Sequence, residues 1–149
     1  MKWPAQISPG TRYKKPVLST DIFVTSVINA GGALPTDRTY DGVDLLPYVT
    51  GLNEEEPHPQ MFWRADHIWA IRDGDYKLIL STRDGWAELY NVKEDISESI
   101  NLRDDMPELY QKLRDMHAEW QLELPEKPLW PRVMDHKFLI DSVEYLFPA

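Results

Sequence analysis

Residues 61–92 read Met61-Phe62-Trp63-Arg64-Ala65-Asp66-His67-Ile68-Trp69-Ala70-Ile71-Arg72-Asp73-Gly74-Asp75-Tyr76-Lys77-Leu78-Ile79-Leu80-Ser81-Thr82-Arg83-Asp84-Gly85-Trp86-Ala87-Glu88-Leu89-Tyr90-Asn91-Val92. Two Asp-Gly pairs, Asp73-Gly74 and Asp84-Gly85, punctuate runs rich in Ile, Leu, Trp and Tyr. Glycine enters positive φ without steric cost, so a turn there matches the twist of two antiparallel strands. The stretch therefore predicts a meander, with strands near 67–73, 75–81 and 86–91 and a fourth over 61–65.

Outward from the meander, the next periodic segment follows a turn-rich connection, Asn91 to Leu102. Asp105 with Glu108 fits a capping box, and Pro107 is tolerated in a first turn. Leu109, Leu113, Met116 and Trp120 recur at helical spacing and form one stripe. This predicts a helix over 106–123, ended by Pro125, that covers one face of the sheet. Upstream, Ser19, Thr20 and Asp21 are good N-cap residues and Gly31-Gly32 is a stop, which predicts a helix over 20–30 despite several β-branched residues. Between them lies an irregular connection. It holds turn chemistry at Tyr40-Asp41-Gly42, a short helical turn within 43–49 and a charged surface loop, Asn53 to Pro59. A connection this long needs a reason, and one is that it wraps over a neighbouring domain. The fold class is α+β: a small four-stranded antiparallel sheet covered by a C-terminal helix, preceded by a helix and loops. Residues 127–149 read as an extended tail, aromatic at Trp130, Phe138, Tyr145 and Phe147.

The composition bounds what such a chain does. Hydrophobic residues make up 42% and charged residues 28% of the 149 positions, enough apolar content for a core. The net charge of −9 argues against nucleic acid as a partner, since phosphate recognition needs a basic surface. There is no cysteine, hence no disulfide framework, thiolate metal site or thiol nucleophile. No apolar run reaches the length of a membrane helix.

The common catalytic constellations are missing. There is no phosphate-cradling glycine loop, no Gly-x-Ser-x-Gly and no His-Glu-x-x-His. His58, His67, His117 and His136 have no ligand spacing, and His117 reads as a packed side chain beside the helix stripe. Asp73 and Asp75 flank a glycine without the rest of a calcium loop and read as turn residues. Arg64-Ala65-Asp66-His67 is the polar cluster that stands out, because it falls where two strands meet in a tight corner. A guanidinium, a carboxylate and an imidazole there suit an anionic or sugar ligand. A solvated turn with a local ion pair is the plainer reading.

Several segments, in order, resemble the C-terminal portion of a type I sulfatase, of the arylsulfatase family within the alkaline-phosphatase-like superfamily. Trp3-Pro4-Ala5-Gln6-Ile7-Ser8-Pro9-Gly10 is similar to the family's Trp-Pro-Gly-x-Ile-x-x-Gly, with Ala5 in place of glycine. Asp21-Ile22-Phe23-Val24-Thr25 is similar to its Asp-Leu-x-Pro-Thr, with Val24 in place of proline. Tyr40 to Pro47 resembles Leu-Asp-Gly-x-Ser-Leu-x-Pro. Arg72-Asp73-Gly74-Asp75-Tyr76-Lys77 resembles the Arg-x-Gly-x-x-Lys hairpin, and Glu88-Leu89-Tyr90-Asn91 with Asn101-Leu102 resembles the closing segment.

The resemblance implies three regions. Residues 1–52 would be the tail end of the large α/β domain, residues 53–126 a C-terminal subdomain, and residues 127–149 the tail. It implies a parent activity, hydrolysis of sulfate esters with a formylglycine and a calcium ion, and a partner, the N-terminal catalytic domain. Neither cofactor is expected in this chain, which has no cysteine and no Ser-x-Pro-x-Arg, so no catalytic and no metal-binding residue is expected here. The chain alone is expected to be catalytically incomplete, with exposed apolar surface around Trp3, Ile22 and the tail aromatics. In the whole enzyme it would complete the fold and border the pocket for a sulfated small molecule or carbohydrate. Arg64 is the expected substrate contact, with Trp63 and His67 beside it. A stand-alone carbohydrate- or protein-binding module without catalysis is the competing reading.

Overall fold

The structure is a computed structural model that describes residues 1–125, 135–140 and 142–148. It divides into two compact units, Met1–Pro59 and Gln60–Ala149.

The first unit is built on helix α1, Asp21–Asn29, and a single turn, α2, Leu46–Val49. The glycine pair closes α1 as expected: the Gly31 and Gly32 N–H groups donate to the carbonyls of Ile28 and Val27. The N-terminus departs from expectation, because no side chain caps it. The Asp21 carboxylate makes one local and two long-range contacts instead. Its Oδ2 accepts from the Leu18 N–H at 2.7 Å, and its Oδ1 accepts from the Val43 N–H at 3.0 Å. The His58 Nε2 also lies 2.7 Å from Oδ1. Thr25 Oγ1 adds a bond to the Val43 carbonyl and accepts from the Leu45 N–H. Asn29 Nδ2 donates to Asp44. The irregular connection is thus tied to α1, which accounts for its length within the unit. At Gly42 the connection passes close against the start of α1: a Cβ there would run into the Thr20 carbonyl oxygen. The expected surface loop over 53–59 ends inside, with Pro57 and His58 buried, because Asp21 needs a donor there.

The second unit contains the meander. Strands β1 (Gln60–Ala65), β2 (Ile68–Asp73), β3 (Tyr76–Ser81) and β4 (Ala87–Asn91) pair antiparallel in the order β1-β2-β3-β4. Between β2 and β3 the pairing of Asp73 with Tyr76 leaves Gly74-Asp75 as the two turn residues, and only Gly74, at φ 57°, is in positive φ. That is the Gly-first pattern of a tight hairpin turn. Helix α3, Pro107–Gln121, covers one face. Ile71, Leu78, Ala87 and Leu89 from the sheet meet Leu113 from α3, with Leu109 and Met116 packed alongside. Leu78, Leu89 and Leu113 are fully buried, each contributing roughly 1.5–3 kcal/mol by leaving water. Trp120 stacks on Phe62 at 5.0 Å between centroids. His117 belongs to this stripe rather than beside it: it is buried and stacks on Trp69 at 4.7 Å. The capping box is not formed. Met106 is the N-cap residue, no side chain bonds the helix start, and Pro107 opens the helix.

A second, two-stranded sheet follows: β5 (Asp135–Ile140) and β6 (Val143–Pro148). Tyr145 reaches back to the meander, its hydroxyl donating to Glu88 Oε1 at 2.8 Å and its ring meeting Trp86 edge-on. Trp130 and the Phe147 side chain lie outside the described residues. Apolar side chains remain exposed in both units, among them Ile22 and Phe23 in the first and Phe138, Leu139, Ile140 and Val143 in the second.

Candidate functional site

The corner singled out by the sequence is the turn between β1 and β2. Pairing of Ala65 with Ile68 leaves Asp66-His67 as the turn residues. Asp66 takes φ 51°, a left-handed conformation that costs a non-glycine residue roughly 1–2 kcal/mol and that aspartate tolerates better than most. Two turns are fastened together here. The His67 carbonyl accepts from the Thr82 N–H at 2.9 Å and from Thr82 Oγ1 at 3.2 Å. The His67 ring is only 6% exposed. Its Nδ1 lies 3.2 Å from Asp66 Oδ2 and its Nε2 3.6 Å from Asp84 Oδ2. Asp84 is held in turn by Ser81, whose hydroxyl donates to Oδ2 at 2.9 Å and accepts from the Asp84 N–H. The Asp84 carboxyl sits below the usual carboxylate range, chiefly because Arg83 bonds it, with Ser81 and His67 adding to the effect. The imidazole between two carboxylates braces the corner.

The three candidate residues do not share one surface. Successive side chains on a strand point to opposite faces. Arg64 pairs with Trp69, whose ring stacks on His117 of α3, so Arg64 stands on the helix-covered face. Its Nη1 approaches the Pro125 carbonyl at 3.5 Å, just beyond the end of α3. Trp63 stands on the other face, beside Ala65, Ala70 and Ile79. His67 is enclosed in the turn. The corner therefore carries a guanidinium, a group whose chemistry suits recognition of an anion. Among the described residues no group of three or more His, Asp or Glu side chains is placed to hold a metal ion. No helix among them is long and apolar enough to cross a membrane.

Sequence reasoning missed two features. The buried pair Asp21–His58 joins residues 37 apart, and no local pattern announces it. The outer face of the meander gathers Arg72, Lys77, Ile79, Ile96 and Glu98 around Trp63. Part of that was within reach, because a two-residue turn at Gly74-Asp75 places Arg72 directly opposite Lys77.

No family model matches the chain. Curated relatives do. Arylsulfatase A of Bos taurus is 30% identical over 148 residues, spanning 82% of this chain and 28% of the relative. N-acetylgalactosamine-6-sulfatase of Canis lupus familiaris is 37% identical over 75 residues, 50% of this chain and 14% of the relative. The fold agrees with the crystal structure of Ps i-CgsB at a TM-score of 0.71 and 22% identity, over 86% of this chain and 29% of that one. The chain thus spans less than a third of the length of each of these proteins. It belongs to the sulfatase family, of which it carries a partial region.

Proposed function

We propose that this chain is the C-terminal part of a sulfatase, a sulfuric ester hydrolase, in which it completes the fold and borders the substrate pocket. The observation that carries the reading is the match to arylsulfatase A, which runs through both units, 82% of the chain, rather than through one motif. In this reading residues 1–52 end the large α/β domain, residues 53–126 form the C-terminal subdomain and residues 127–149 follow it. The apolar side chains exposed in the first unit, Ile22 and Phe23, support it, since such surface in a lone domain is a liability. The competing stand-alone module draws no support from the relatives.

The partner is the N-terminal catalytic domain, and the substrate of the whole enzyme is a sulfated small molecule or carbohydrate. Formylglycine is made in the family from a Cys or Ser in Cys/Ser-x-Pro-x-Arg, a motif that this sequence does not contain. Formylglycine and calcium, and the chemistry of sulfate transfer, are assigned to the N-terminal part.

Within the corner, Arg64 is the substrate contact and His67 is a positioning residue that fixes the turn carrying it. A guanidinium binds a sulfate ester through charge-assisted hydrogen bonds, each worth more than a neutral one. The test joins this chain to its upstream half and measures sulfate ester hydrolysis. The joined protein is expected to be active and the chain alone inactive. Arg64→Ala is expected to raise KM about ten- to a hundredfold, the loss of one charged hydrogen bond of roughly 1.5–3 kcal/mol, with kcat little changed. Kinetics identical to those of the unsubstituted enzyme would refute the role of Arg64.

A further inference from the structure

The face of the meander turned away from α3 carries a groove of about 400 Å³ shaped by Trp63, Arg72, Lys77, Ile79, Ile96 and Glu98. Trp63 is 42% exposed near its centre. Two of its neighbours on this face are small: Ala70 is its cross-strand partner and Ala65 stands two residues along β1. Together they leave the indole and Ile79 as an apolar shelf.

Charge is placed against the shelf in a way a sheet does not need for its own stability. Arg72 and Lys77 are directly opposite one another on β2 and β3. Like charges in that position are destabilising. Lys77 is relieved by Glu98, whose two oxygens lie 2.8 and 3.1 Å from its Nζ. Arg72 donates through Nε to the Gly74 carbonyl at 2.9 Å, and among the described residues it has no carboxylate partner.

The loop that supplies Glu98 is itself braced. Asp95 accepts from the backbone N–H groups of Ser99 and Ile100 at 2.7 and 2.8 Å. It also accepts from the hydroxyls of Ser97 and Ser99 at 2.9 and 3.0 Å. This holds Glu98 at φ 54°, a left-handed conformation costing a non-glycine residue roughly 1–2 kcal/mol. It also leaves Ile96 84% exposed at the rim of the groove. An exposed indole, two adjacent cations and a strained acidic residue are the parts of a binding site, because local strain that folding does not require gathers where ligands are held.

We propose that this groove binds an acidic pyranose, its ring face on Trp63 and its anionic group on Arg72 with Lys77, while Glu98 accepts from ring hydroxyls. A pyranose presents one flat apolar C–H face and a rim of hydroxyls, which matches a shelf edged by donors and an acceptor on one side. The anionic group supplies the counter-charge that Arg72 lacks. The groove lies on the face opposite Arg64, so the proposal goes beyond the role given to Arg64 and stands without it.

The test uses the 149-residue chain, labelled with 15N. It is titrated with a sulfated disaccharide, with the same disaccharide unsulfated, and with a uronic-acid disaccharide. Backbone and indole signals locate the site, and calorimetry gives the affinity. The expected result is saturable binding of a charged sugar, with shifts centred on residues 63, 70, 72 and 77. The sulfated and uronic arms tell sulfate from carboxylate. Trp63→Ala is expected to weaken binding about tenfold or more, the scale of a lost ring-stacking contact. Arg72→Gln is expected to abolish the preference for charged over neutral sugar. Arg114→Gln, on the outside of α3, is expected to change nothing. Should Trp63→Ala unfold the unit, Trp63→Phe and Arg72→Gln carry the test. Three results would overturn the proposal: no saturation by either charged sugar up to about 10 mM, equal affinity for the neutral sugar, or binding unchanged by the Trp63 and Arg72 substitutions.

Discussion

Asp21→Ala removes the side chain on which the first unit is organised. The carboxylate has no exposure to solvent and takes three contacts, from the Leu18 N–H, the Val43 N–H and His58. Each backbone N–H left buried without an acceptor costs roughly 1–3 kcal/mol. Breaking a buried pair by removing one partner typically costs about 3–5 kcal/mol in all. These ranges overlap, because the orphaned donors are part of the cost of the broken pair, so a loss of about 3–5 kcal/mol is expected. That is a large part of the stability of a small domain. Hydrogen exchange read by mass spectrometry resolves it by segment. Exchange over 18–29 and 43–50 should accelerate more than a hundredfold, the equivalent of about 3 kcal/mol, while the meander over 68–91 stays protected. Asp21→Asn should fall between, since one oxygen remains to accept but the amide faces donors. Unchanged protection over 18–50 in Asp21→Ala would show that Asp21 does not hold the unit together, and an equal loss over the meander would show that its effect is not local.

Two further substitutions follow from the packing. Burial holds the His117 imidazole below the ordinary histidine value of 6.5; the nearby Arg64 adds to this and the Trp63 backbone opposes it. The unfolded chain then binds the proton more readily than the folded one, so stability is complete above pH 6.5 and falls as pH drops toward the lowered folded value. Urea unfolding of His117→Phe across that window should show a flatter dependence on pH, and an unchanged slope would count against the assignment. Gly42→Ala should destabilise the first unit by more than ~1 kcal/mol, where at an unhindered site the same change stabilises by roughly 0.4–1 kcal/mol, because its Cβ meets the Thr20 carbonyl; a melting temperature within error of the parent would contradict that close approach.

The meander was legible because its signals are local: alternating apolar runs and turn glycines decide strands, register and hairpins over a few residues. Helix α3 was legible through the spacing of Leu109, Leu113 and Met116. The start of α1 departs from its local pattern because a residue with a good local role is drawn to distant partners. Asp21 has the chemistry of an N-cap, yet it bonds Leu18, Val43 and His58. Its tertiary bonds outweigh a cap worth about 1 kcal/mol. The β5–β6 hairpin is hard to see in residues 127–149, because its two short runs flank Asp141-Ser142 with no glycine or proline to mark a turn. The candidate site was read from adjacency in sequence. In a strand, adjacency separates: Trp63 and Arg64 are neighbours in the chain and stand on opposite faces of the sheet. The groove around Trp63 depends on register and on a loop from residues 94–101, which no short pattern encodes.

We propose that these 149 residues are part of a sulfatase whose catalytic apparatus is encoded upstream. The in-frame nucleotide sequence preceding Met1 tests it most directly. The expected result is a reading frame that continues into an α/β domain carrying Cys-x-Pro-x-Arg or Ser-x-Pro-x-Arg. A continuous upstream frame of several hundred codons without that motif would contradict it.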